Sequence, residues 1–396
     1  MALSQRDYRI YFIVATAAML ADNIEHVISY WIVYQKFHSA ALAGFAVVSH
    51  WIPYLFLAGY TGMLADRIDI RRLIQTGMML FMAVSVCWGA LFYSDTLTMW
   101  KAMSLLVVHG LAGVIWIPAS QVLIHRIVDP EQLPSAVRLN ATGRYIGFLI
   151  GPALGAGLLL VFGATIGIMI NAAIYIPMFV WLMRAPYGSA KAGMSAPPSV
   201  GGLSGLWATM RVIHKNPVLF SMTLMIGAAS FFVGNAYQAQ MPAFAHDLGR
   251  NHADYSYSAL LAADAAGGLL GGLLLETRSL LQPKPRTAFI LAMIWSCAIL
   301  GFARVTLYPI ALMLLFVAGF VELAFNAMAQ TLVQINAPAD MRGRVIGMYS
   351  MSSLGLRTFS GVSVGLLGQS IGIHNSLAIS ASILLLIYGC VFWARR

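Results

Sequence analysis

Asp22, Glu25, His26 and Ser29 stand inside an otherwise apolar run at residues 9–36. Their spacing of i, i+3, i+4 and i+7 places all four on one face if the run is helical. Two acids one turn apart repel when both are ionised, so the pair reads as a proton site. The imidazole beside them can accept or relay that proton. Glu322, Asn326 and Gln330 recur at spacing four in the run 307–334, and Asp264 lies in the run 256–275. Arg144 follows Asn140 by one turn in the run 136–162, and Arg357 lies in the run 343–369. A charge in a hydrocarbon core costs roughly 2.5–3.5 kcal/mol on insertion scales, so such groups persist where they pair or line wet space. Arg144 is expected to face the acids of the first run, and Arg357 to face Glu322 or Asp264. Each set has two readings, a central cavity lining or static ion pairs that tie helices together. His50 and His109 have apolar neighbours and read as buried hydrogen-bonding side chains. Tyr30, Trp31, Tyr34, Trp51, Tyr54 and Trp116 are either a vestibule for a bulky ligand or lipid-interface anchors.

The elements that hold these groups follow from composition. The chain has 396 residues, 60% hydrophobic and 10% charged, whereas a soluble domain carries about 25% charge. At about 20 residues per bilayer crossing, the apolar runs give twelve spans: 9–36, 42–65, 72–93, 98–125, 136–162, 165–184, 217–244, 256–275, 287–304, 307–334, 343–369 and 372–394. Residues 185–215, rich in Gly, Ser and Pro, read as a flexible cytoplasmic linker between halves 1–184 and 216–396. Arg6 and Arg9 precede the first run as in a signal peptide, but Asp22, Glu25 and His26 interrupt it, so an uncleaved first helix is expected.

Charge placement fixes an orientation. With both termini in the cytoplasm, eighteen Lys and Arg side chains fall inside and four outside: Lys36, Lys101, Arg250 and Arg304. The net charge of +10 is therefore topological, and no nucleic-acid partner is expected. Cys87, Cys297 and Cys390 lie in apolar runs without CxxC spacing, so neither disulfides nor a metal centre is expected. No P-loop occurs, which argues against ATP-driven transport within this chain. Gly361–Gly365 fits a hydrolase G-x-S-x-G pattern, but Ser363 lies inside the eleventh span, not in the strand–turn–helix setting that the pattern needs. No enzyme and no cofactor are expected.

The run GMLADRIDIRRL, Gly62–Leu73, forms a short charged knot between the second and third spans. It resembles the loop signature of the major facilitator superfamily through Gly62, Leu64, Ala65, Asp66, Arg67 and Arg71. Asp69 stands where most members have glycine, and Ile70 where many have a basic residue. Gly147, Gly151, Pro152 and Gly155 in the fifth span resemble the superfamily's antiporter motif, with Ala156 replacing its last glycine. Glycines at spacing four make a smooth helix face that a neighbour can approach, and the proline permits a bend. A weak internal repeat relates the stretch around Gln121 and Glu131 to that around Gln330 and Asp340. The segments 128–140, 329–334 and 342–355 are similar to the branch that holds the bacterial enterobactin exporter.

The resemblance implies an all-α integral membrane protein of twelve transmembrane helices in two six-helix pseudo-repeats. It implies a monomeric secondary transporter of the inner membrane, exchanging protons for a siderophore-like or drug-like amphipathic solute by alternating access. An importer, a lipid transporter or a non-transporting receptor on the same scaffold stays open. Asp66 is expected to approach the start of the eleventh span near Gly343 as a cytoplasmic gate, with Arg67, Arg71 and Arg72 divided between gate contacts and topology. The arginine that often precedes a glycine in the fourth helix is absent, since the candidate positions are Leu106 and His109.

Overall fold

The computed structural model describes residues 2–37, 40–188, 203–234, 236–239, 241–248, 253–278, 282–360, 368 and 371–393. Among these the regular structure is helical throughout, with no strand. The first spans are α1 (Arg6–Phe37), α2 (Ala40–Arg67), α3 (Ile70–Tyr93) and α4 (Met99–Ile127). Helix α5 (Leu133–Ile174) contains the fifth crossing and most of the sixth. It breaks at Gly163, whose φ of 74° is open to a residue without Cβ, and α6 (Ile176–Arg184) completes the sixth. After α7 (Leu203–Lys215) come α8 (Pro217–Phe232), α9 (Ala236–Ala239), α10 (Met241–Asp247), α11 (Ala253–Arg278), α12 (Pro285–Arg304) and α13 (Tyr308–Asn336). Then follow α14 (Arg342–Ser350), a π turn at Met351–Gly355, and α15 (Ile373–Trp393).

Local chemistry sets the helix starts. Asp69 caps α3 by accepting the amide of Arg71 at 3.0 Å. Asn216 caps α8 by accepting the amides of Val218 at 2.9 Å and Leu219 at 3.2 Å, with Pro217 at the first helical position. Large apolar side chains such as Phe56, Leu160, Val161, Met313 and Leu386 point outward, the inverse of a water-soluble surface. Seven helical runs among the described residues are long and apolar enough to cross a membrane.

Two expectations change. The seventh span is not continuous over 217–244: α8 ends at Phe232, and Gly234 turns the chain with φ 44° into the short α9. A Cβ on Gly234 would stand 2.7 Å from the carbonyl oxygen of Ser230, so glycine is the residue that fits. Residues 203–215 of the presumed flexible linker form α7, which reads apolar on one face and basic at its end, with His214 and Lys215. Lys191, Ser363, Arg250, Arg395 and Arg396 lie outside the described residues.

Packing divides the chain into two compact units. The first takes its residues from Met1–Ala136, Gly143–Thr209 and Pro338–Ser350, and the second from Val137–Thr142, Met210–Ala337 and Met351–Arg396. Within the first, α1 and α5 run parallel and meet along a glycine row. A Cβ on Gly143 would touch Thr16 at 2.6 Å, on Gly147 Met19 at 3.0 Å, on Gly151 Asn23 at 2.5 Å and on Gly155 Val27 at 3.1 Å. Within the second, α11 and α13 cross as closely, since a Cβ on Gly319 would lie 1.9 Å from the carbonyl oxygen of Asp264.

Candidate functional site

The first unit buries Glu25 at 1%, His109 at 3% and Asp22 at 8% exposure. His109 stands between the two acids. Its Nε2 is 2.9 Å from Asp22 Oδ1 and its Nδ1 is 2.8 Å from Glu25 Oε1. Helix α1 supplies both carboxylates at i and i+3, so α4 need present only one ring to reach both. The other oxygen of Glu25 accepts the Ser85 hydroxyl, and Ser85 in turn accepts Asn171 Nδ2 at 3.2 Å. Two nitrogen–oxygen hydrogen bonds need two protons. Either an imidazolium donates both, or a neutral ring donates one while a carboxylic acid donates the other. In both cases the trio holds one negative charge, and losing a proton doubles it.

Around this trio lie His26 and His50. Ring centroids are 4.8 Å apart for His26–His50 and for His26–His109. Phe81 stacks on Tyr175 at 5.1 Å and closes edge-on against His109 at 4.9 Å. His50 also packs edge-on to Trp51 at 4.6 Å, and Tyr54 is fully buried. Trp31 is exposed, as an interface anchor would be, whereas Trp116 is buried.

Arg144 stands elsewhere. The register of α1 on α5 sets it level with Phe12–Thr16, close to the ring of Tyr11 and about two turns before Asp22 on α1. The expected neighbour of the acids is thus replaced by His109, the residue at one of the two candidate positions for the superfamily's arginine.

The second unit carries its own pair. Tyr237 on α9 sets its hydroxyl 3.2 Å from Asp264 Oδ2 and 3.3 Å from Glu322 Oε2. Gln238 Nε2 donates to Asp264 Oδ2 at 2.9 Å. One phenolic proton cannot serve both acids. The Tyr237 hydroxyl can donate to either carboxylate, while Gln238 gives Asp264 a second donor. Asn326 hydrogen-bonds Glu322, and Arg357 is close enough to act on that carboxylate. Glu322, Asn326 and Arg357 line one cavity with Ser230 and Trp295. Arg357 Nε also donates to the Ser353 carbonyl at 3.1 Å. Asn140, grouped with the second unit, is partly buried on α5.

Asp66 ends α2 against the start of α14. Its Oδ1 accepts the Gly343 amide at 2.6 Å and its Oδ2 the Arg344 amide at 2.9 Å, a carboxylate seated on a helix N-terminus. The approach depends on facing glycines, for a Cβ on Gly62 would lie 2.2 Å from the Gly343 carbonyl oxygen. Asp69, where a glycine is usual, forms a salt bridge with Arg71 at 2.8 Å. That guanidinium holds the Asp69 carboxyl below the ordinary carboxylate range. Arg71 Nη1 also donates to the Ala185 carbonyl at 2.5 Å, and Arg126 to those of Tyr187 at 3.2 Å and Gly188 at 3.1 Å. Arg67 and Arg72 are exposed.

Sequence reasoning missed Tyr237, Gln238, Ser85 and Asn171; it read His109 as a buried hydrogen-bonding side chain, which it is, without naming its partners. The one signal for His109 was its place before Gly110 in the fourth span.

A sequence profile of the Major Facilitator Superfamily matches residues 10–357. The chain is 26% identical over 244 residues to macrolide efflux protein A of Streptococcus pyogenes, an alignment covering 61% of this chain and 59% of that protein. The chain thus spans about three-fifths of that relative's length. Among solved structures it is similar to a bacterial homologue of the iron transporter ferroportin in the outward-facing state, with TM-score 0.77, 15% identity, and coverage of 99% and 100% of the two chains. The human organic anion transporter MFSD10 gives TM-score 0.76 at 12% identity, covering 97% of this chain and 99% of the other. These likenesses establish the all-α, twelve-helix membrane fold.

Proposed function

The chain belongs to the Major Facilitator Superfamily, and from that membership we propose that it exports a drug-like or siderophore-like amphipathic solute in exchange for protons. One observation carries the proton half of this reading. Each compact unit holds two carboxylates bridged by one proton-bearing side chain: the buried Asp22 and Glu25 by His109, and the buried Asp264 and half-buried Glu322 by Tyr237. Such bridges are costly as architecture alone and useful where a proton must be taken up and given back. The efflux activity in the name of the macrolide relative supports the outward direction. In this reading halves 1–184 and 216–396 alternate access, joined by 185–215, with both termini cytoplasmic as the basic loops suggest.

Dye accumulation in expressing cells tests the direction. Lower accumulation that a protonophore abolishes is expected, and higher accumulation means import. Glu322→Gln tests the coupling. The amide keeps the shape but cannot release a proton, so export should lose most of its dependence on external pH between about 5 and 8. An unchanged pH profile would remove Glu322 from the coupling path.

Asp66 is assigned to the closed cytoplasmic state. Asp66→Asn retains one acceptor oxygen and removes the charge, which weakens the cap by about 0.3–2 kcal/mol. A fall in transport of several-fold, with normal membrane insertion on fractionation, is the expected result.

A further inference from the structure

We propose that His26, His50 and His109, with Asp22, form a binding site for a divalent transition-metal ion of the zinc class. The site stands independently of the identity of the exported solute. The three rings come from α1, α2 and α4, and one ligand atom from each lies within 4.8 Å of the other two. Nitrogens on a tetrahedral zinc ion are roughly 3.3 Å apart, given bonds of about 2.0–2.1 Å. Side-chain rotations that move each ring inward by about 1 Å close the difference.

Three features distinguish this cluster from ordinary core histidines. Nε2 of His26 is buried and makes no hydrogen bond, so a lone pair or an N–H is enclosed without an acceptor or donor to meet it. Asp22 Oδ1 and His109 Nε2 are 2.9 Å apart across a hydrogen bond, so an ion that replaces the shared proton needs the two atoms to part only to about 3.3 Å to take both as ligands. Glu25 sits on the opposite nitrogen of His109 at 2.8 Å and is itself held by Ser85, the carboxylate–histidine arrangement that orients a metal-bound ring. Charge agrees as well. An ion on His109 Nε2 displaces the proton shared with Asp22, and the two carboxylates and three neutral imidazoles then carry two negative charges, which one divalent ion cancels. Imidazole-rich donors favour zinc, cobalt, nickel or copper over magnesium and calcium.

Tag-free protein in detergent, titrated with Co²⁺ and then displaced with Zn²⁺, tests the site. One equivalent of Co²⁺ should give the visible absorption of a four-coordinate, imidazole-ligated ion, lost on adding Zn²⁺. His26→Ala and His50→Ala should each weaken binding at least about tenfold, and Glu25→Gln about 10–100-fold through loss of the orienting carboxylate. Unaltered binding in both histidine variants would place the ion elsewhere and overturn the assignment. So would wild-type protein that shows no saturable binding or no four-coordinate spectrum, a result that needs no variant to fold. None of these readouts depends on transport, so a failed export assay leaves them intact.

Discussion

His109→Leu should abolish transport and strongly lower the thermal midpoint in detergent. The substitution keeps the volume roughly constant but leaves Asp22 and Glu25 enclosed with no partner between them. Removing one side of a buried ionic contact costs on the order of 3–5 kcal/mol, because the remaining charge stays desolvated. Neutral surroundings should repair that part of the damage. The triple variant His109→Leu, Asp22→Asn, Glu25→Gln is therefore expected to recover the midpoint and to remain inactive. Differential scanning fluorimetry and dye export on the same preparations separate the two effects. A single variant that keeps both stability and export would show that the bridge matters to neither.

Gly62→Val should give a protein that inserts in the membrane and does not transport. The added Cβ would stand 2.2 Å from the Gly343 carbonyl oxygen and 2.8 Å from Gly347 Cα. Both obstacles are backbone, so no rotamer relieves them, and α14 must move off α2. Overpacking of this kind costs about 1–3 kcal/mol, and here it also withdraws the Gly343 and Arg344 amides from Asp66. Gly157→Ala is the matched control, since a Cβ there meets nothing within 4 Å, and full export is expected. Export by Gly62→Val at the wild-type rate would show that the α2–α14 crossing can loosen without consequence.

The helices were legible in the sequence because long apolar runs bounded by charge have one physical outcome in lipid. Turns without charge were harder. Nothing charged marks the end of α8, so a single positive-φ glycine at 234 hid the placement of Tyr237. The loop run 62–73 pointed to Asp66 through its resemblance, and the carboxylate lies where that resemblance put it. His109 was legible as a buried hydrogen-bonding side chain, but what it bonds to was not. Its partners lie on another helix, and a histidine with apolar neighbours in sequence looks the same whether it meets two acids or a single carbonyl. Arg144 erred in level: a residue on the correct helix pair sat two turns from the expected contact, because pairing alone does not give register. The fifth-span glycines were legible as a smooth face, and the structure supplies the neighbour, α1.

That seam has a mechanical consequence. Four notches on α5 each receive a different residue of α1, from Thr16 to Val27, at nearly constant offset. Sliding by one residue would drive the filling side chains out of their notches and onto bulkier rungs, so the two helices resist axial slip and travel as one lever. The carboxylates borne by α1 then have no independent stroke. Their hydrogen-bond partners reach them sideways, through the ring that α4 offers and the hydroxyl that α3 offers.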